Sequence, residues 1–542
     1  MRRPLTLMTT VALAALLTSA SALAEAPACK PSSSARALQY LRRLSLDLLG
    51  RVPTMAEIDA VKKAGEVSAE SIDTMLSSAG FVQQMRAYHR GLLWTNVRNV
   101  RMSSPSFDLV GFGGVPMAMR GYRAYQYRGD AAASCLDVPA LFDPNGKPIT
   151  VPHPTLPGAR QEGYVMVEPY WAPGTQIKVC AFDANAAEEV NGKKCWRPDA
   201  GAECGCGPNL RYCQRRSNEY LGSGIYGGVD TQRIIADAFA EQMLRFIDDV
   251  VRSDRPYTDL LVASDMEVNG PIAHYLRYQT KTRGFTDYYA DPDQDYKVPD
   301  LKFSDQGQWV KVARGGRHAG ILTMPGYLLR FQTNRGRANR FYNAFLCKQF
   351  AAPPSGLPSG ADPCNSEPDL KQRCGCSHCH TSLEPLAAYW GRFAESGLAP
   401  LSDMVRFPNK LNSADLATCE KPGLNFLDKQ ICQRFFLLDP GHPKEQAEKG
   451  KLRPYVFATK EIEDNIELGP GALAQKAIAS GELASCTVKK MLGVYLGTSS
   501  DSALVDKLAA SFRAGGRYSL RALVRSIVTD AAYLPGGLGG GK

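Results

Sequence analysis

The stretch Cys376-Ser377-His378-Cys379-His380 constrains this chain more than any other. Two cysteines separated by two residues, with a histidine directly after, form the C-x-x-C-H pattern of covalent c-type haem attachment. The chemistry needs that spacing. Two thiols two residues apart reach the two vinyl groups of one haem, and the histidine that follows lies under the ring and ligates the iron. Cys376 and Cys379 are therefore the thioether candidates and His380 the proximal iron ligand, for one covalent haem c. The same neighbourhood has a competing reading, because Cys374, Cys376, Cys379 and His380 have the nitrogen–sulfur character of a tetrahedral zinc site.

The N-terminus weighs in favour of haem. Arg2 and Arg3 form a basic region, Val11 to Leu17 an apolar one, and Ala22-Leu23-Ala24 an A-x-A cleavage site, with residues 1–24 as signal peptide and Glu25 opening the mature chain. Haem of the c type is attached outside the cytoplasm, so the expected location is periplasmic or secreted. The apolar region is too short to span a bilayer, and no later run reaches about 18 apolar residues, so no transmembrane span is expected. Cys29 lies beyond the cleavage site and not at it, which argues against a lipid anchor. The formal charge is +10, or +8 without the two signal arginines. These charges form no basic stripe, which argues against nucleic acid as a partner. A mild positive field suits an acidic redox partner, although solubility alone also accounts for it. All fifteen cysteines fall in the mature part. Setting aside the two haem candidates leaves thirteen, an odd number that predicts mostly disulfides with at least one thiol left over.

The periodicity predicts a mainly α fold: a multi-helix haem-binding body with a disulfide-rich β/loop insert. Leu38, Leu41, Leu44 and Leu48 mark a helix over 35–49 within an N-terminal helical segment, 35–98. Gly50 and Pro53 end it, and Thr54 caps a second helix with Glu57 at the capping-box position. Helices over 71–78 and 80–97 follow, the latter carrying His89 on a buried face, read as structural. Residues 99–216 form the insert, with short strands over 163–171 and 176–182. Cys135, Cys180, Cys195, Cys204, Cys206 and Cys213 gather there. Disulfide staples are the favoured reading, and a metal knot from Cys195, Cys204, Cys206 and Cys213 the alternative. A middle helical segment, 217–350, opens with a helix from near Asp230 to Val251. Asp291, Asp293 and Asp295 alternate as in calcium loops, but the glycine and glutamate such loops need are missing. Asn334 is expected to cap a helix over 335–348, whose Arg335, Arg337 and Arg340 suit haem propionates or a solvated face. A Pro/Gly linker, 351–373, delivers the chain to the haem segment, 374–465. There 383–393 reads as helix and 397–465 as irregular, with Cys419 and Cys432 a staple. The C-terminal segment, 466–534, predicts helices over 472–479, 486–496, 503–512 and 520–529.

Several of these segments together resemble one family, the large multi-segment planctomycete-type cytochrome c-like proteins, also abundant in myxobacteria, whose parts are domains of unknown function. Arg42-Arg43-Leu44-Ser45-Leu46-Asp47-Leu48-Leu49-Gly50, Pro53-Thr54 and Glu57-Ile58 are similar to its N-terminal signature. Phe246 to Val251, Asp254-Arg255-Pro256-Tyr257 and Asn269 resemble its middle segment. Ala319-Gly320-Ile321-Leu322-Thr323, the arginine-led helix and Pro353-Pro354 resemble that segment's end. Cys376 to His380 with Glu384-Pro385-Leu386 resembles its haem segment, with Glu384 where the family has Asp and Ala387-Ala388 in place of Gly. Cys486 to Leu496, Phe512 and Tyr518 to Val528 resemble its C-terminal segment. The resemblance implies an exported haem protein and no established reaction.

Opposite the proximal histidine a c-type iron takes His or Met. His378 sits between the thioether residues and is held away from the metal. His318 and Met324 are the distal candidates, since their segment stands beside the haem segment in the family's architecture. The expected function is electron transfer by a mono-haem cytochrome with an unidentified redox partner. A haem enzyme, peroxidase- or oxygenase-like, with an open distal site is the first alternative, and an envelope binding or assembly protein with structural haem the second.

Overall fold

The computed structural model describes residues 33–534 apart from 98–99, 101, 103, 113–114, 122–123, 198–199, 216–228, 284–297, 316, 351–355, 357–360, 399, 422–425 and 499–500. The expected signal peptide, the aspartates at 291, 293 and 295, Cys29 and residues 351–355 and 357–360 of the 351–373 linker lie outside the described residues.

The N-terminal helices are α1 (Ser33–Leu49), α2 (Met55–Ala64), α3 (Ala69–Leu76) and α4 (Ala79–Leu93). Local chemistry sets their ends. Thr54 accepts the Glu57 N–H while Glu57 accepts the Thr54 N–H, a complete capping box, which satisfies two amides that the first turn leaves unpaired. Leu41, Leu44 and Leu48 of α1 are buried, the stripe expected from their spacing. After α5 (Ala124–Arg128), α6 (Thr231–Arg252) forms the central strut, with Asp230 as its cap. It buries Phe239, Met243, Phe246, Ile247, Val250 and Val251. Helices α7 (Asp259–Val262), α8 (Gly270–His274), α9 (Thr280–Arg283) and α10 (Pro325–Arg330) follow. Helix α10 packs so closely on α6 that a Cβ at Gly326 would fall 2.6 Å from the Phe239 carbonyl oxygen. Helix α11 spans Asn334–Phe345, and its cap is Thr333, one residue earlier than the sequence suggested.

The first and last parts of the described chain meet. Tyr533 donates to Asp47 Oδ2 at 2.7 Å, and Arg43 donates to the carbonyls of Tyr533 and Tyr495. One hydrophobic core consequently runs from Leu41 to Tyr533. The helices that complete it are α12 (Ser377–Ala387), α15 (Lys460–Ala479), α16 (Glu482–Leu496), α17 (Ser502–Arg513) and α18 (Leu520–Val528), while α13 (Ser413–Glu420) and α14 (Phe426–Phe435) lie outside it. The region expected to be irregular thus contains α13, α14 and the first turns of α15. Phe407, Phe435, Phe436, Leu452, Tyr455 and Ile466 give it a small core of its own. Among the described residues no helix is long and apolar enough to cross a membrane.

The insert is built as predicted from short strands and staples. Its main sheet orders the strands Tyr164–Val167, Ile177–Cys180, Val115–Arg120, Asp108–Phe112 and Gln214–Arg215. Disulfides join Cys135 to Cys180, Cys195 to Cys204 and Cys206 to Cys213. A metal knot from Cys195, Cys204, Cys206 and Cys213 is therefore excluded, since a sulfur committed to a disulfide is not a thiolate ligand. Beneath the sheet Arg128 pairs with Glu162 and Asp183, all three side chains at 0 % exposure.

Candidate functional site

Six disulfides account for twelve cysteines. Besides the three in the insert they are Cys347–Cys486, Cys364–Cys374 and Cys419–Cys432, the last as expected from the sequence. Cys376 and Cys379 are the two described cysteines outside any disulfide. The staple to Cys364 takes Cys374 away from the zinc quartet considered above. The two tight clusters of metal-ligand type among the described residues, Cys135/Glu162/Cys180 and Asp362/Cys364/Cys374, likewise contain a bonded cysteine pair.

The motif opens a helix. Gly375, at φ 69°, makes the left-handed turn between the staple and α12. Cys376 is the N-cap residue, and the His380 amide donates to its carbonyl at 2.9 Å. The helix therefore begins at the motif, six residues before the predicted start. Cys376, Cys379 and His380 are half-buried, and His378 is exposed. Residues four apart on a helix share a face, so Glu384 lies one turn beyond His380. His380 Nδ1 and Glu384 Oε1 are 2.5 Å apart, and Arg335 Nε donates to the same carboxylate oxygen at 2.6 Å. A carboxylate that accepts from one imidazole nitrogen fixes the tautomer and leaves Nε2 as the ligating atom. The i, i+4 spacing of His380 and Glu384 was visible in the sequence and is the signal by which this pair could have been found.

The same helix face continues into a cleft. Glu384, Ala387 and Ala388 line a cavity of about 510 Å³, closed on its other sides by Arg335, Lys371 and Phe435 among others. That volume lies in the ~300–1,000 Å³ range of small-molecule sites. Of the three arginines offered for propionates, only Arg335 reaches it. Arg337 is fully buried and donates to the carbonyls of Phe331 and Ala394. Arg340 is spent on the Leu92 carbonyl and the Trp94 ring.

The seven histidines divide by what their nitrogens do. His89 uses both, Nδ1 with the Met85 carbonyl at 2.7 Å and Nε2 with the Tyr257 hydroxyl at 3.0 Å. Burial pushes its pKa down to about 4, and it is structural, as read from the sequence. His274 stacks on Tyr170 at 3.8 Å, and burial lowers its pKa to about 3. His153 and His442 accept backbone N–H groups in surface turns. His318 differs, because its Nδ1 is buried without a hydrogen-bond partner. Burial, and then the nearby Arg314 guanidinium, press its pKa down to about 4.

The loop that carries His318 is rigidly made. Arg314 donates to the Gly320 carbonyl and the Thr323 hydroxyl. Gly320 has φ 43°, and a Cβ there would meet the Leu260 carbonyl oxygen at 2.1 Å. This loop and α12 meet the same helix, α15. Arg317 donates to the Glu467 carbonyl at 2.7 Å and Asn465 to the Pro385 carbonyl at 2.9 Å. Trp390, in the turn after α12, donates to the Leu322 carbonyl at 3.0 Å. Met324, the other distal candidate, is 0 % exposed within the main core.

Residues 20–103 match the model of the PSCyt2 family, described as a protein of unknown function (DUF1549). The match takes in the Arg42–Gly50 and Pro53–Ile58 signatures, so the N-terminal part of the resemblance has independent support. No curated protein and no solved structure matches the chain.

Proposed function

We propose that this chain is an exported mono-haem c-type cytochrome that transfers electrons through a haem held by Cys376 and Cys379, with His380 as proximal iron ligand. The observation that carries the reading is the state of the motif. In a chain whose other described cysteines are all paired, two thiols stand outside disulfides at the C-x-x-C-H spacing. Beside them is an imidazole whose Nδ1 a carboxylate has claimed. That donor set fits haem c better than zinc, because Cys374 is already bonded to Cys364. A haem bound there supplies one-electron exchange at its iron. Glu384 and Arg335 orient the His380 ring and hold the proton on Nδ1, and Ala387 and Ala388 line the cleft that opens beyond Glu384. Six disulfides agree with an oxidising compartment, and hence with the periplasmic or secreted location expected from residues 1–24.

His318 is the distal ligand in this proposal. Its enclosed, unpartnered nitrogen is what a ligand looks like before its metal arrives, whereas Met324 is committed to the core. Haem staining of the exported protein after denaturing electrophoresis tests attachment. The reduced protein should show a low-spin spectrum that carbon monoxide leaves unchanged. A spectrum that carbon monoxide shifts at once favours the enzyme reading with an open distal site.

A further inference from the structure

Away from the motif, α4, α10, α11 and α16 bring together a cluster that the proposed haem chemistry does not use. Trp94 ends α4 in a left-handed conformation, φ 50°, and its side chain is 52 % exposed. The Arg340 guanidinium lies 3.4 Å from the centre of its ring and the Arg330 guanidinium 5.6 Å. Both arginines also face the Phe331 ring, at 5.4 and 5.5 Å. Backbone bonds fix their positions. Arg330 Nε donates to the Trp94 carbonyl and Arg340 Nη1 to the Leu92 carbonyl, each at 3.0 Å. Lys490 of α16 lies near enough to Arg340 for the two charges to repel. Its pKa is lowered by burial and then by the charge of Arg340.

Among the described residues the cluster has no anion. Arg335 and Lys348, on either side of Arg340 in the sequence, have carboxylate partners in Glu384 and Glu482. Among the described residues no ion pair joins Arg330, Arg340 or Lys490 to a carboxylate. Arg340 is only 8 % exposed, and its Nε is buried with no hydrogen-bond partner. A desolvated guanidinium with an unused donor and cations for neighbours is costly until a counter-charge arrives. The indole and the Phe331 ring repay part of that cost through their π faces, but they leave the net positive charge in place.

We propose that Arg340 and Arg330, gathered around Trp94, with Lys490 near Arg340, form a binding site for an oxyanion, a carboxylate or phosphate, carried either by a small molecule or by an acidic segment of a partner protein. The planar guanidinium forks suit two-oxygen acceptors. The half-exposed indole gives the ligand's carbon skeleton an apolar surface to lie on. This site is independent of haem and stands or falls separately from it.

Isothermal titration of the full-length mature protein with inorganic phosphate, citrate and a deca-aspartate peptide tests the proposal. At least one probe should bind saturably at one per chain, more weakly as salt is raised. Arg330→Gln and Lys490→Gln should each weaken that binding about tenfold, the scale of one hydrogen bond to a charged group. Both residues are more exposed than Arg340, so these variants keep the test valid where an Arg340 variant fails to fold. Tight binding of phosphate or citrate identifies a small-molecule site, and binding of the peptide alone identifies a protein partner. Absence of saturable binding by all three probes, or affinities unchanged in both variants, overturns the proposal.

Discussion

The cysteine-rich insert and the segment around α12 use the same residue type to opposite ends. In the insert all six cysteines are paired, and the disulfides hold together strands of two to six residues. Short strands make little core of their own; the insert packs Phe107, Leu109, Ile177 and Val179 into the main core, and covalent staples add to that burial. Around α12 the staple Cys364–Cys374 stops two residues short of Cys376, and Cys376 and Cys379 stand outside disulfides. The histidines repeat the contrast: His89 spends both ring nitrogens inside the core, and His380 spends one. The contrast is between side chains whose bonding is complete within the fold and those that, in the proposal, take a haem.

The comparison breaks most completely at the motif. Replacing both Cys376 and Cys379 by alanine should abolish covalent pigment entirely, read by haem staining, while the insert keeps its resistance to proteolysis. The converse experiment is Cys206→Ala with Cys213→Ala. Losing that staple should cost about 2–4 kcal/mol of insert stability in denaturant titrations and leave the pigment content unchanged. If the pigment falls with the insert, the two regions are not separable.

The histidine contrast has a pH signature. The folded-state pKa of His89 lies at about 4, below its ordinary value, so the unfolded chain takes up the proton first as pH falls. Stability should hold above about pH 6.5 and decline between there and pH 4, by on the order of 3 kcal/mol from this residue. His274 adds to the loss in the same direction. Thermal melts across that range check it, and the slope should lessen in His89→Leu.

The smallest effect is expected at Glu384. Glu384→Gln keeps a hydrogen bond to His380 but removes the charge, and should weaken the iron–histidine bond about tenfold, the low end for a lost outer partner. External imidazole competing for the iron in the loaded protein measures this. Arg335→Gln should act in the same direction and by less.

Much of this was legible in the sequence because it is local. The Thr54–Glu57 capping box, the α1 leucine stripe and the core face of α6 depend on residues three or four apart. The staples of the insert were expected from composition, but their pairing was not. Cys347 and Cys486, 139 residues apart, are joined by tertiary packing that no spacing encodes. Helix α15 was read as starting after its kink. Gly469, at φ 76° and ψ 174°, breaks α15 into two helices at Gly469-Pro470, so the helix expected over 472–479 is the second of them and the first was missed. The cleft beside Glu384 was also out of reach, since its walls come from α11, α12, α14 and the turns around Lys371 and Leu452. The bonding state of His318 needed coordinates too, because only burial distinguishes an unpartnered nitrogen from a solvated one.

The central claim is most directly tested by a pyridine haemochrome spectrum of the protein purified after export, with haem counted against protein. One c-type haem per chain, surviving acid–acetone extraction, is the predicted result. A colourless protein in which the thiols of Cys376 and Cys379 both titrate would contradict it.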